Sequence, residues 1–212
     1  MKYKHIIWDW NGTLIDDLGL CVSALNNGLA KRGLTTITEK YFREISTFPV
    51  SKIYERVGFD FEKERFEVAG DEFVVFYGKH FHEINLHLKA LLVIKEIQVL
   101  GASQSILSAG SQEYLNIWVN HHALSDYFMF IRGIDNHYAG GKVELGTEFV
   151  KELPFNKNEI ILVGDTVHDS KVAQAMGVDC LLLDHGHVSR NRLKKTNRKV
   201  LSSLIQVLEQ IK

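Results

Sequence analysis

Tyr3-Lys4-His5-Ile6-Ile7-Trp8-Asp9-Trp10-Asn11-Gly12-Thr13-Leu14-Ile15-Asp16-Asp17 is the stretch on which the fold turns. Its first six residues form a short apolar run, which reads as a buried β-strand. Asp9 then stands where the strand ends and a loop begins. In an open α/β sheet, ligands bind at that end of the strands. A carboxylate there either attacks an electrophile or holds a hard cation. Gly12 and Thr13 follow at once, so the backbone can turn tightly and offer N–H groups to an anion.

Working outward, the 212 residues suffice for one domain with a sizeable insertion, or for one large and one small domain. The formal net charge of -1 gives no argument for a nucleic-acid partner or an anionic membrane, and neither is expected. No apolar run approaches the length of a membrane span, and the N-terminal residues lack the apolar core of a signal peptide. A cytoplasmic protein is expected, monomeric or homodimeric. Cys21 and Cys180 each sit in apolar surroundings and outside any Cys-x-x-Cys pattern, which predicts buried free thiols. The histidines form neither a His-x-x-x-His nor a His-Glu-x-x-His pattern. His121-His122 reads as a helix end and His185-Gly186-His187 as a loop.

Helical spacing runs from Leu18 to Arg32, where Gly33 stops it, and again from Thr38, a helix cap. Phe48-Pro49 breaks the chain. A short helix follows from Ser51 to Gly58, and an aromatic-rich one lies between Phe61 and Glu83. No β-alternation occurs from Leu18 to Ile84, so residues 17–85 are expected to form an all-helical cap. Beyond it, helices are expected over Leu86–Leu100, Gln112–His122, Glu144–Leu153, His168–Met176 and Leu201–Ile211. Strands are expected over Gln104–Leu107, Phe128–Ile131, Ile160–Val163 and Cys180–Leu183. The basic segment from Arg190 to Lys199 reads as a solvated face. This alternation predicts an α/β fold with a doubly wound parallel sheet, residues 1–16 and 86–212 forming the core domain.

Three strand ends carry polar residues in apolar company: Asp9, Ser108 and Asp165. Parallel topology brings them to one edge, together with the loop Gly140-Gly141-Lys142. Asp169 follows Asp165 by four residues, on the first turn of a helix. Carboxylates gathered this closely repel one another unless a cation sits among them, and oxygen donors of this kind select Mg²⁺. Ser108, the amides after it and Lys142 are suited to phosphate oxygens.

The order Asp9, Ser108, Lys142, Asp165/Asp169 resembles the four motifs of the haloacid dehalogenase superfamily over residues 5 to about 183. Asp-Trp-Asn-Gly-Thr-Leu is similar to its first motif, Gly164-Asp165 to Asp169 to its fourth, and the helical insertion to a class-one cap. The wording of the first motif, with Leu-Ser-Ala-Gly at 107–110, looks like chains grouped with phosphoglycolate phosphatases. The resemblance implies a phosphatase of a small phosphorylated metabolite. In it Asp9 forms an aspartyl-phosphate that water hydrolyses. Asp9, the Asn11 carbonyl, Asp165 and Asp169 surround Mg²⁺. Trp10, Asn11, Ser108, Ala109 and Lys142 contact the phosphoryl group.

The departure is Asn11, where the family's phosphatases have a second Asp that protonates the leaving oxygen. An amide cannot do so, and general acid–base catalysis is typically worth about 10²–10⁴-fold. Three enzymatic readings follow: a slow phosphatase, a substrate whose leaving group needs no proton, or a replacement acid such as His168 or a cap residue. A reading of another class is a protein that binds a phosphorylated ligand or a partner without useful turnover. Dehalogenation is disfavoured by the paired acids of the fourth motif. The phosphonate-cleaving branch would need a cap lysine, for which Lys31, Lys40 and Lys52 are candidates.

Overall fold

A computed structural model describes residues 1–134 and 141–212. Six strands form one parallel sheet: β1 (His5–Trp8), β2 (Ser103–Ser111), β3 (Phe130–Ile134), β4 (Ile160–Gly164), β5 (Asp179–Leu183) and β6 (Lys199–Leu201), in the order β3-β2-β1-β4-β5-β6. The order reverses beside β1, and the crevice outside the strand ends opens at such a switch point. Trp8 is level with Ile106 of β2 and with Val163 of β4, so the residues that follow these strands emerge side by side.

β1 is buried on both faces, and its alternation splits the core. Ile6 and Trp8 join Ile106, Ile161 and Val163 under α5 (Ala90–Val99), α6 (Gln112–His121) and α10 (Ile205–Ile211). Ile7 faces the other way, with Leu107 and Leu162, against α7 (Lys142–Glu152) and α8 (Val167–Met176). Thr166 caps α8 in a box with Asp169, and Gly177 ends it in the left-handed region.

Between β1 and α5 lie α1 (Leu18–Lys31), α2 (Glu39–Ile45), α3 (Ser51–Arg56) and α4 (Phe66–His80). This helical block joins the sheet through two chain passages that pair with each other. Asp16 N–H donates to Asn85 O, His87 N–H donates to Leu14 O, and Ile15 bridges Leu86.

Several element bounds differ from the sequence reading. The expected helix over Leu86–Leu100 begins only at Ala90, because the chain first pairs with the passage after β1. β2 runs on to Ser111 and β3 is shifted to Phe130–Ile134; their pairing carries a register shift between Leu107 and Ser111. The basic segment holds structure of its own: α9 (Arg190–Lys194) buries Leu193, and β6 occupies Lys199–Leu201. A three-residue edge strand within a basic run has too little apolar alternation to be read from sequence. The terminal helix consequently starts at Ile205 instead of Leu201. Cys21 and Cys180 are buried and free.

Candidate active site

Asp9 follows β1 and Asp165 follows β4. Both are buried, as are Asp169 on α8 and Lys142 at the start of α7. Lys142 Nζ lies 2.5 Å from Asp9 Oδ1 and 2.6 Å from Asp169 Oδ1. Thr13 Oγ1 stands 3.2 Å from Asp9 Oδ2 and 2.9 Å from Asp165 Oδ1, with one proton to give. The backbone N–H of His187 donates to Asp165 Oδ2 at 2.6 Å, and Thr166 donates to Asp169 Oδ2 through N–H and hydroxyl at 3.0 and 2.6 Å.

The three carboxylates offer oxygens that all lie within 4.8 Å of one another. Burial pushes the Asp9 carboxyl up, and Asp169 and Asp165 add to this, while Lys142 opposes it. Burial raises Asp165 too, with Asp169 adding to it, while His187 and the Thr13 hydroxyl oppose the rise. Burial works against the charge of Lys142, yet Asp169 and Asp9 hold its pKa above the ordinary value. One lysine facing three buried carboxylates leaves an excess of negative charge. An all-oxygen set of this size suits a hard divalent cation.

Two glycines make this proximity possible. A Cβ at Gly12, whose φ is +75°, would come within 2.5 Å of Asp165 Oδ2, and one at Gly186 within 2.2 Å of the same atom. The loop after β5 and the loop after β1 therefore clasp Asp165 from two sides.

Among the remaining residues singled out in sequence, Ala109 lines the cavity beside Asp9, with Gly110 and Ser111. Ser108 is buried and does not; its hydroxyl oxygen accepts from Gly110 N–H at 3.0 Å. The Trp10 indole is wholly buried, and its carbonyl receives the N–H groups of Thr13, Leu14 and Ile15. Gly140 lies outside the described residues. Thr47 and Phe48 reach the cavity, so the turn at Phe48-Pro49 does face the site. His168 stacks on Phe48 with ring centroids 4.3 Å apart and is absent from the cavity wall. Lys31, Lys40 and Lys52 are absent from it too.

A second polar cluster went unread in sequence. Asn11 Nδ2–H donates to Asp17 Oδ2 at 2.8 Å and to the Tyr77 oxygen at 3.1 Å, and Tyr77 O–H donates to Asp17 Oδ2 at 2.9 Å. His187 Nε2–H donates to Asp17 Oδ1 at 2.9 Å. Burial would raise Asp17, but the His187 charge and these donors hold it down at about 2. His187 is raised well above its usual value: burial lowers it, and Asp17 more than compensates. Asp17 is thus an ionised acceptor, which fixes the orientation of the Asn11 amide: NH₂ toward Asp17, oxygen away from it. Cys21 adds an S–H 3.5 Å from Asp17, so the His185-Gly186-His187 loop contributes to an Asp17, Cys21, His187 group. The sequence held one signal for the cluster, the doubled acid Asp16-Asp17 so soon after Asn11.

A family profile described as haloacid dehalogenase-like hydrolase matches residues 6–183. The chain belongs to the haloacid dehalogenase-like hydrolase family. Known structures of the same fold include a predicted phosphatase from Clostridium acetobutylicum, 18% identical, with a TM-score of 0.85 over 100% of this chain and 99% of that one. A predicted phosphoglycolate phosphatase from Haemophilus somnus is 14% identical, with a TM-score of 0.83 over 100% and 99%. Protein tyrosine kinase A from Mycobacterium tuberculosis is 18% identical, with a TM-score of 0.82 over 99% and 98%. At such identities the likeness speaks for the fold alone. No curated protein matches the chain in sequence. In this haloacid dehalogenase-like chain, the four motif positions Asp9, Ser108, Lys142 and Asp165/Asp169 all lie at the same edge of the sheet.

Proposed function

We propose that this protein is a Mg²⁺-dependent phosphatase that hydrolyses a small phosphate monoester through an aspartyl-phosphate on Asp9. The observation that carries the reading is the Asp9–Lys142–Asp169 arrangement, with Asp165 clasped beside it. Asp9 Oδ1 lies against an ammonium that a phosphoryl oxygen can share, so attack is guided by positioning and charge neutralisation. Asp9, the Asn11 carbonyl and Asp165 would hold Mg²⁺, with Asp169 close by, and the cation would supply Lewis-acid neutralisation of the phosphoryl charge. Lys142 orients Asp9 and offers its remaining proton to phosphate. Thr13 steadies the outer oxygens of Asp9 and Asp165.

The family's usual acid position is filled by an amide whose protons are already committed to Asp17 and Tyr77. Turnover then depends on leaving groups that depart without assistance. Phosphoglycolate is the metabolite that the resemblance and the Haemophilus somnus neighbour put first in an assay. No described helix is long and apolar enough to cross a membrane.

Phosphate release from 4-nitrophenyl phosphate, with Mg²⁺ or with EDTA, tests the reading in the wild type and in Asp9→Asn. Release that requires Mg²⁺ and disappears in Asp9→Asn is expected. Equal release by Asp9→Asn would remove the nucleophile. A silent wild type would favour the reading in which the site binds without turnover. Asn11-Gly12 is a deamidation-prone pair, so intact mass is measured alongside.

A further inference from the structure

The reacting groups lie at one end of a cavity of about 220 Å³ that extends into the helical block. Its far walls are apolar and aromatic, with Phe42, Ile53, Tyr54, Phe73, Val74 and Trp118 among them. Lys142 is the sole lysine or arginine on the described walls, and it is engaged by Asp9 and Asp169. The sole histidine there, His187, is tied to Asp17. A leaving group with its own carboxylate would be buried here without a free cation to pair with, which costs far more than an apolar group of the same size. By contrast, an apolar cavity of about 150 Å³ is enough to take a benzene ring.

The other end of the cavity imposes a chemical condition. Asn11 has no acidic proton, and Tyr77 beside it has its hydroxyl proton on Asp17. A phenol releases its oxygen as an anion with a pKa of about 10, as the tyrosine side chain does. Alkyl alcohols are far weaker acids, and their departure ordinarily needs a proton, which neither Asn11 nor Tyr77 supplies.

We infer that the substrates are aryl phosphate monoesters with an uncharged ring, the ring lying in the aromatic chamber and the phosphoryl group at Asp9. The inference rests on the phosphatase reading above and names its substrate class. Asp9 Oδ1 forms a bond to phosphorus as the phosphorus–aryl oxygen bond breaks, and the electron pair leaves on the phenolate, which takes its proton from solvent. Water then attacks the aspartyl-phosphate. The Asp9 oxygen–phosphorus bond breaks, the carboxylate returns, and hydrogen phosphate and one proton are released.

Four esters separate the two conditions: phenyl phosphate, its saturated counterpart cyclohexyl phosphate, 4-carboxyphenyl phosphate and phosphoglycolate. kcat/KM for phenyl phosphate should exceed that for cyclohexyl phosphate by about 100-fold or more, the lower bound of what a missing acid is worth. It should exceed that for the carboxylated ring at least about 10-fold, and Val74→Lys should narrow that second gap. Across substituted phenyl phosphates, the rate should fall steeply as the phenol becomes more basic. A flat dependence that steepens in His187→Asn would overturn the inference and assign the proton to His187. Phosphoglycolate outrunning phenyl phosphate would overturn it as well. Acetyl phosphate, which needs neither acid nor chamber, keeps the two readings apart by intact mass. If Asp9 is phosphorylated but aryl esters are not preferred, the substrate class alone fails. If Asp9 is never labelled and no ester is cleaved, the phosphatase reading fails with it.

Discussion

At the scale of single residues, the chemistry turns on Asn11 and the carboxylate it faces. Its NH₂ group reaches Asp17 Oδ2 at 2.8 Å, so an aspartate at position 11 would set two carboxylates against each other in a buried place. Like charges this close cannot both ionise. Asn11→Asp alone is therefore expected to lose about 1–3 kcal/mol of stability near neutral pH, the cost of a broken buried hydrogen bond to a charged group. Asn11→Asp with Asp17→Asn restores one carboxylate and one amide and should recover part of that loss. A urea double-mutant cycle measures the coupling; additive losses would mean the two side chains do not share their hydrogen bond. The residue Asn11 was visible in the sequence as a departure from a known pattern. Its partner Tyr77, and the His187 that holds Asp17, were not, because they lie 66 and 176 positions further along the chain (77 − 11 and 187 − 11) and no local pattern links them.

At the scale of elements, the loop after β5 does two things. It closes the chain over Asp165 and it brings His187 to Asp17. Gly186 permits both, since any Cβ there would overlap Asp165 Oδ2 and the Gly12 carbonyl oxygen. Gly186→Ala is expected to displace Asp165 and weaken Mg²⁺ affinity at least about 10-fold, the lower range for disturbing groups that orient metal ligands. Titration calorimetry with Mg²⁺ measures this, and a urea melt of the same variant shows whether the fold survives. Unchanged affinity would remove Asp165 from the ligand set. Strand and helix placement was legible wherever apolar period and capping agreed, as in β4 with Gly164-Asp165 and the Thr166 cap of α8. It failed at β6, and at the start of α5, where pairing with distant chain segments decides the conformation.

At the scale of the whole molecule, stability should depend on acid through histidines buried as neutral rings. Burial lowers His5 and His185 to about 4 from an ordinary value near 6.5. The unfolded chain then binds protons that the folded one refuses, so their contribution is complete above pH 6.5 and is lost as pH falls toward 4. The full gap at His5 corresponds to at most roughly 3 kcal/mol. The thermal midpoint should drop over this window, and the drop should be shallower in His5→Gln; an identical slope would exclude His5 as a source. The sequence by itself determined the parallel sheet, the order of its polar strand ends and the family resemblance. Apolar runs, caps and strand-end acids are local features that hold wherever the chain goes. Only the tertiary structure decided that Asp17 and Tyr77 bind the Asn11 amide while His187 holds Asp17, and that the helical block lines the cavity beside Asp9 with apolar walls bearing no free cation among those described. The physical reason is that a cavity and a buried ion pair are made by segments far apart in the chain, whose meeting is set by packing the whole core and not by the pattern of any one stretch.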